Sequence, residues 1–305
     1  MSFRSFVTGV VDSSVARSIF MRDGAKHSLV RRFVAGDQLS DALQAVGELA
    51  HDGTFAALDY LGENLRTDGE IGEAMTQYLD VIKAISTFYR TSYVSIKLSA
   101  IGLLVHEELA RENLVRLLDW SRERGDVFIR VDMEGSDHTD QTLEIVRDLH
   151  QIYPGLGTVI QSYLRRSDKD LEQLIEEKIP VRLVKGAYAE SPAIAYSLKQ
   201  DVDRQFRKQM YSLLEDGVDP AIATHDPTII HDARIFARRQ NIPNERFSFE
   251  LLMGVRRDIQ KELRAAGYQV CIYVPYGAMW YPYFTRRLAE RPANLGFFVK
   301  NLTKG

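Results

Sequence analysis

The chain contains a single cysteine, Cys271, in 305 residues. That rules out an intramolecular disulfide framework, so stability has to come from a buried apolar core. No apolar run approaches the roughly 20 residues of a membrane span. The first residues place Arg4 and Asp12 beside only a short apolar stretch, unlike a secretory signal. A soluble, cytoplasmic protein is therefore expected. Strong charge of one sign is also missing: the formal net charge is −3 and the isoelectric point lies near 6.2. The arginine pairs at 165–166, 238–239, 256–257 and 286–287 are interleaved with acids, which excludes the dominant basic stripe of a nucleic-acid binder. The histidines are scattered without the spacing of metal ligands, so no metal site is expected. A G-x-S-x-G elbow and a G-x-G-x-x-G fingerprint are both absent. Cys271, in mid-strand with no nearby histidine, reads as a small buried hydrophobe. No linker, repeat or low-complexity segment divides the chain, and residues 1–305 are expected to form one domain.

What is present is a large apolar fraction, 45%, enough for a sizeable core. Short apolar or β-branched runs recur at Thr54–Tyr60, Tyr93–Leu98, Phe128–Met133, Thr158–Gln161, Val181–Val184, Ala221–Thr224, Phe247–Leu252 and Val270–Val274. Helical patterns separate them, such as Glu107–Glu123 with Leu109, Leu114, Leu117 and Leu118 on one side, and Asp168–Glu177 with Leu171, Leu174 and Ile175. Eight strands alternating with helices predict parallel pairing and closure into a (β/α)₈ barrel. The first 53 residues read as extra helices, Ser13–Phe33 and Leu39–His51, packed on the barrel.

Active sites on this fold are built from the carboxyl ends of the strands and the loops that follow. Here those ends carry Asp59 to Glu63, Lys97, Asp132-Met133-Glu134, Gln161, Lys185-Gly186-Ala187-Tyr188, Thr224-His225-Asp226, Glu250 and Tyr273. Gly186 lets the backbone approach a ligand closely. Near the end, Tyr283, Arg286, Arg287 and Glu290 share one helical segment. Adjacent guanidinium groups project about 100° apart, so both can converge on one small anion, such as a carboxylate, above the helix face. Glu290 lies one turn further on, where it can orient both. Strand-end lysines Lys97 and Lys185 keep a Schiff-base lyase open as an alternative, and a catalytically silent barrel that only binds is a third reading. The Trp280–Phe284 aromatic cluster is expected in core or site packing rather than against lipid.

Six segments in order resemble the proline dehydrogenase family: Ser95-Ile96-Lys97-Leu98-Ser99, Arg130-Val131-Asp132-Met133-Glu134, the run from Val159 to Leu164, the run from Arg182 to Tyr188, Ala223-Thr224-His225, and Tyr283-x-x-Arg286-Arg287-x-x-Glu290. The resemblance runs from about Leu58 to Asn301 and is closest to the short, monofunctional bacterial type. It implies a distorted (β/α)₈ barrel that binds FAD at the strand ends and oxidises L-proline to Δ1-pyrroline-5-carboxylate by hydride transfer, with a membrane quinone as acceptor reached by peripheral contact with the inner membrane face. It further implies that Lys97, Arg286 and Arg287 bind the substrate carboxylate, that Asp132 pairs with Lys97, and that Arg182 lies beside the flavin ring. Met133, Gln161, Lys185, Gly186, Ala187, Thr224 and His225 match FAD-contacting positions, and Tyr273, Tyr283 and Leu252 would wall the proline ring. Glu63, in the turn after the first strand, is a candidate gate that pairs with one of the arginines.

Overall fold

The computed structural model describes residues 30–89 and 92–289. Within them α1 (Leu39–His51) precedes a regular alternation: β1 (Phe55–Tyr60), α2 (Asp68–Phe88), β2 (Tyr93–Ile96), α3 (Glu107–Arg122), β3 (Ile129–Val131), α4 (Thr139–His150), β4 (Leu156–Gln161) and α5 (Ser167–Glu176). The second half continues with β5 (Val181–Val184), α6 (Lys199–Asp216), β6 (Ala221–Ala223), α7 (Pro227–Arg239), β7 (Ser248–Leu252), α8 (Arg257–Ala265), β8 (Gln269–Tyr276) and α9 (Trp280–Ala289). Every strand pairs in parallel with its sequence neighbour, and β8 closes on β1, with Phe55 opposite Cys271 and Asp59 opposite Pro275. The expected eight-stranded barrel is therefore present.

Period-two alternation divides each strand between two environments. Outward positions such as Leu58, Ile96, Val131, Leu183, Phe249 and Ile272 join the main core under the helices. The alternating inward positions carry Asp59, Ser95, Arg182, Glu250 and Tyr273, all of which are buried or nearly so. Helix starts follow local rules. Thr67 and Glu70 form a reciprocal capping box at α2, and Asp226 caps α7 ahead of Pro227 at its first position.

The predicted helix Leu39–His51 matches α1, which packs on β1 and β8. Of the predicted Ser13–Phe33 helix, all but Val30–Phe33 lies outside the described residues. The strands starting at Tyr93, Phe128 and Ala221 are shorter than expected, so Lys97, Asp132, Met133 and Thr224 stand just past the strand ends. β8 runs two residues further, to Tyr276. Cys271 is buried and free, as expected.

Residues 30–36 run along the carboxyl end of β8. The Ala35 amide donates to Pro275 O (2.9 Å), the Gly277 amide to Gly36 O (2.9 Å), and Arg32 Nε to Gly254 O (3.2 Å). Val30, Phe33 and Val34 pack with Trp280, Tyr283 and Phe284 of α9, so this aromatic cluster is core packing. Gly254 sits at φ +72°, and a Cβ there would lie 1.8 Å from Arg32 O. Gly254→Ala is therefore expected to cost at least about 2 kcal/mol through backbone strain and displacement of this segment. Chemical denaturation checks it, and an unchanged midpoint would contradict the close packing of the two backbones.

Candidate active site

A cavity of about 580 Å³ opens at the carboxyl ends of the strands. Its floor is a buried ion network assembled from six strands or strand ends. Arg182 on β5 donates through its guanidinium to Asp132 Oδ1 (2.7 Å), to Glu250, to the Tyr93 hydroxyl (2.7 Å) and to Ser95 Oγ (3.1 Å). Lys97 Nζ donates to Asp59 Oδ1 (2.9 Å) and pairs with Asp132 Oδ2 at 3.5 Å. Tyr273 donates its hydroxyl proton to Asp132 Oδ2 (2.7 Å), and the Tyr93 hydroxyl donates to Glu250 Oε1 (2.5 Å). Lys97 is 8% and Arg182 5% exposed, so neither charge would be tolerated without these partners.

The network holds two cations, Lys97 and Arg182, against three carboxylates, Asp59, Asp132 and Glu250. Burial alone would push every carboxyl up and both cations down. For Asp132 that effect is outweighed by Arg182 and Lys97, which hold its carboxyl below the usual range. For Asp59 burial prevails: despite Lys97 beside it, and with the Asp132 charge adding to the effect of burial, its carboxyl is pushed up to about 6. Burial works to lower the Lys97 ammonium, but Asp59, Tyr273 and Asp132 together raise it well above its ordinary value. Lys97 is thus held as a cation, which works against its use as a Schiff-base nucleophile.

Around this floor the cavity wall is largely apolar, with Met133, Val159, Val184, Leu252, Tyr273 and Tyr283 contributing. Arg287, half-buried on α9, also lines the cavity, with its guanidinium 5.4 Å from the centre of the Tyr283 ring. The neighbouring Arg286 side chain and all of Glu290 lie outside the described part of the structure, so the paired-arginine arrangement rests here on Arg287.

The rim residues expected to touch a cofactor line the same cavity, and several also brace the loops. Gln161 Nε2 donates to Glu134 O (2.9 Å), while its Oε1 accepts from the Ala187 amide (3.3 Å). Gly186, at φ +120°, lies flat on the Tyr163 ring, which a Cβ would meet at 2.2 Å. His225 Nε2 accepts from the Leu252 amide (3.0 Å), leaving the ring proton on Nδ1. Thr224 Oγ1 accepts from the Asp226 amide (3.2 Å). Lys185 Nζ donates to Asp203 (2.5 Å) and Asp226 (3.0 Å), so its charge is already shared by two carboxylates. Lys185 and Lys199 hold the Asp226 carboxyl down to about 2 against the effect of burial. Glu63 is half-buried in the loop after β1, a loop tied down by the Asn64 amide bonding Ser99 Oγ (3.0 Å) and by Ser99 bonding Glu134.

Residue-by-residue reading assigned no role to Asp59, Tyr93, Ser95 or Glu250 within this network. Their signal was period-two alternation, which put polar side chains at inward positions where a packed barrel usually carries branched apolar ones. Among the described residues, no group of three or more His, Cys, Asp or Glu is placed to hold a metal, and no helix is long and apolar enough to cross a membrane.

The model of the family described as "Proline dehydrogenase" matches residues 42–300. The chain belongs to the proline dehydrogenase family. It is 41% identical over 274 residues to "Proline dehydrogenase 1" of Bacillus subtilis subsp. natto, covering 90% of each chain. It is 40% identical over 283 residues to "Proline dehydrogenase" of Deinococcus radiodurans, covering 91% of each. Among solved structures, proline utilization A of Bdellovibrio bacteriovorus, inactivated by N-propargylglycine, superposes with a TM-score of 0.81 at 24% identity. That match covers 94% of this chain and 36% of the other, so the chain spans about a third of the larger protein's length, and at this identity the likeness speaks to the barrel fold.

Linkage gives the floor a testable sign. The folded state holds the Asp59 proton up to about pH 6, whereas an unfolded chain releases it near the ordinary 3.8. Folding therefore takes up a proton between those values, and this residue's contribution to stability falls as pH rises from about 4 to about 6, then levels. The stability of Asp59→Asn relative to wild type is expected to improve with pH across that window and to be constant above it. Denaturant midpoints of the two proteins at several pH values check this, and a pH-independent difference would contradict it.

Proposed function

We propose that this protein oxidises L-proline to Δ1-pyrroline-5-carboxylate using bound FAD, as the first step of proline catabolism, with a membrane quinone reached by peripheral contact as the final acceptor. The observation that carries this reading is a single cavity with a charged floor, an apolar wall and an arginine at its edge. Proline has the matching parts: a carboxylate, an amine and an otherwise apolar ring. The names of the relatives, 40–41% identical over nine-tenths of the chain, support the same substrate.

The residues present also fit a flavin nucleotide. The cavity volume lies within the range of ordinary ligand sites. Met133, Val184 and Leu252 offer apolar surface for a planar ring, while Gln161, Arg182, Lys185, Thr224 and His225, with the backbone at Gly186 and Ala187, offer polar partners for its edges and its phosphates. FAD, when bound, supplies the two-electron acceptor that no side chain can provide.

The protein's own groups then have distinct tasks. Arg287, with Arg286 beside it in sequence, grips the substrate carboxylate, and Lys97 adds positive charge from the floor. Asp132 and Arg182 act at the catalytic centre, Asp132 by keeping both floor cations in place and Arg182 by presenting a fixed positive charge where negative charge accumulates. Tyr273, Tyr283 and Leu252 wall the ring and keep water away. The arginines that grip the carboxylate disfavour the ammonium form of the substrate amine, so the nitrogen lone pair is available without a dedicated base. Glu63 closes over the bound substrate by pairing with one of the arginines, and Glu290 orients both.

The purified protein is expected to be yellow and to lose its flavin absorbance when L-proline is added under anaerobic conditions. A colourless protein, or a spectrum indifferent to proline, would contradict the assignment. Replacing Arg287 by lysine removes the planar two-point grip, and the KM for proline is expected to rise about tenfold or more with a smaller change in kcat. Steady-state kinetics test it, and an unchanged KM would remove Arg287 from carboxylate binding.

A further inference from the structure

Asp132 alone does not explain how Arg182 is held. The guanidinium is gripped from a second side by Glu250 of β7, and behind both stands Tyr93 of β2, whose hydroxyl accepts from Arg182 (2.7 Å) and donates to Glu250 (2.5 Å). Both oxygens of Glu250 accept hydrogen bonds, one from Arg182 Nε and one from Tyr93. Glu250 is 5% exposed and lines the cavity floor together with Arg182. Its charge therefore acts at short range, in a region from which water is largely removed, where one unit charge has a large effect.

We propose that Glu250 is a positioning residue that tunes the electron affinity of the cofactor: it fixes the Arg182 guanidinium and, by placing a second negative charge behind it, lowers the positive field that reaches the ring. The inference rests on the flavin reading above. Arg182 would draw electrons toward the ring, Asp132 and Glu250 together moderate that pull, and the surplus of carboxylates over cations on the floor makes the moderation substantial. Tyr93 contributes alignment without charge. A residue that only filled space at this position would have no effect on redox equilibrium.

The test is the midpoint potential of the flavin in the purified holoenzyme and in the variants Glu250→Gln and Tyr93→Phe, with melting temperatures recorded alongside. Glu250→Gln keeps an acceptor of the same shape and removes the charge. It is expected to favour the reduced flavin by roughly tenfold, which is a rise of about 30 mV for a two-electron couple. Tyr93→Phe leaves every charge in place and is expected to leave the potential near that of wild type while lowering the melting temperature. A potential unmoved by Glu250→Gln, or moved equally by both variants, overturns the proposal. Should Glu250→Gln not fold, the same charge is read from Arg182→Gln and the double variant Arg182→Gln/Glu250→Gln. The double variant is expected to have the higher potential of the two, and equal potentials contradict the proposal. A wild-type protein that holds no flavin would instead overturn the functional reading on which this inference stands.

Discussion

Arg182 is buried inside a closed cylinder of strands, and much of the interior is arranged to make that burial tolerable. A guanidinium removed from water without partners would be very costly, and losing one member of a buried pair typically costs several kcal/mol. The partners come from strands on both sides of β5 around the barrel: Asp132 follows β3, Glu250 lies on β7, and Tyr93 and Ser95 lie on β2. Lys97 joins through Asp132 and brings in Asp59 from β1. Charge compensation and barrel closure are thus the same requirement. A slip of one residue in any of these strands would turn its charged group into the apolar layer under the helices and leave a partner stranded.

This explains the division of labour between the two faces of the sheet. The outward face, with residues such as Leu58, Ile96, Leu183 and Phe249, supplies the apolar burial that stabilises the domain. The inward face gives up much of that stabilisation to hold charges at fixed positions beneath a cavity. The loops above are braced rather than loose: Gln161 links the segments after β3 and β5, Ser99 ties the loop after β1 to Glu134, and Lys185 bridges Asp203 and Asp226. Rigid support of this kind suits a site that must present charge at one place to a reacting centre.

Much of the barrel could be read from local pattern. Strand positions followed from β-branched runs and alternation, and α1 was bounded correctly by its periodicity. The polar residues at strand ends were equally visible, and Lys97, Asp132, Arg182, Gln161, His225 and Arg287, all singled out by the motif resemblance, line one cavity. What local pattern could not supply was pairing. Glu250 lies 68 residues from Arg182, and Asp59 lies 38 from Lys97. Those contacts depend on the relative register of strands, which no single segment encodes. For the same reason the engagement of Lys185 with Asp203 and Asp226 was not anticipated, because Asp203 lies on the first turns of α6 and Asp226 caps α7.

The central claim is that Asp132 and Arg182 act as one buried unit on which the floor of the cavity depends. A double-mutant cycle of Asp132→Asn, Arg182→Gln and the pair, read from denaturant-unfolding free energies at neutral pH, measures that coupling directly. The account predicts strong non-additivity, of about 2 kcal/mol or more, with the double variant much less destabilised than the two single changes together imply. Effects that add to within about 0.5 kcal/mol would mean that the two residues are stabilised independently, and would contradict it.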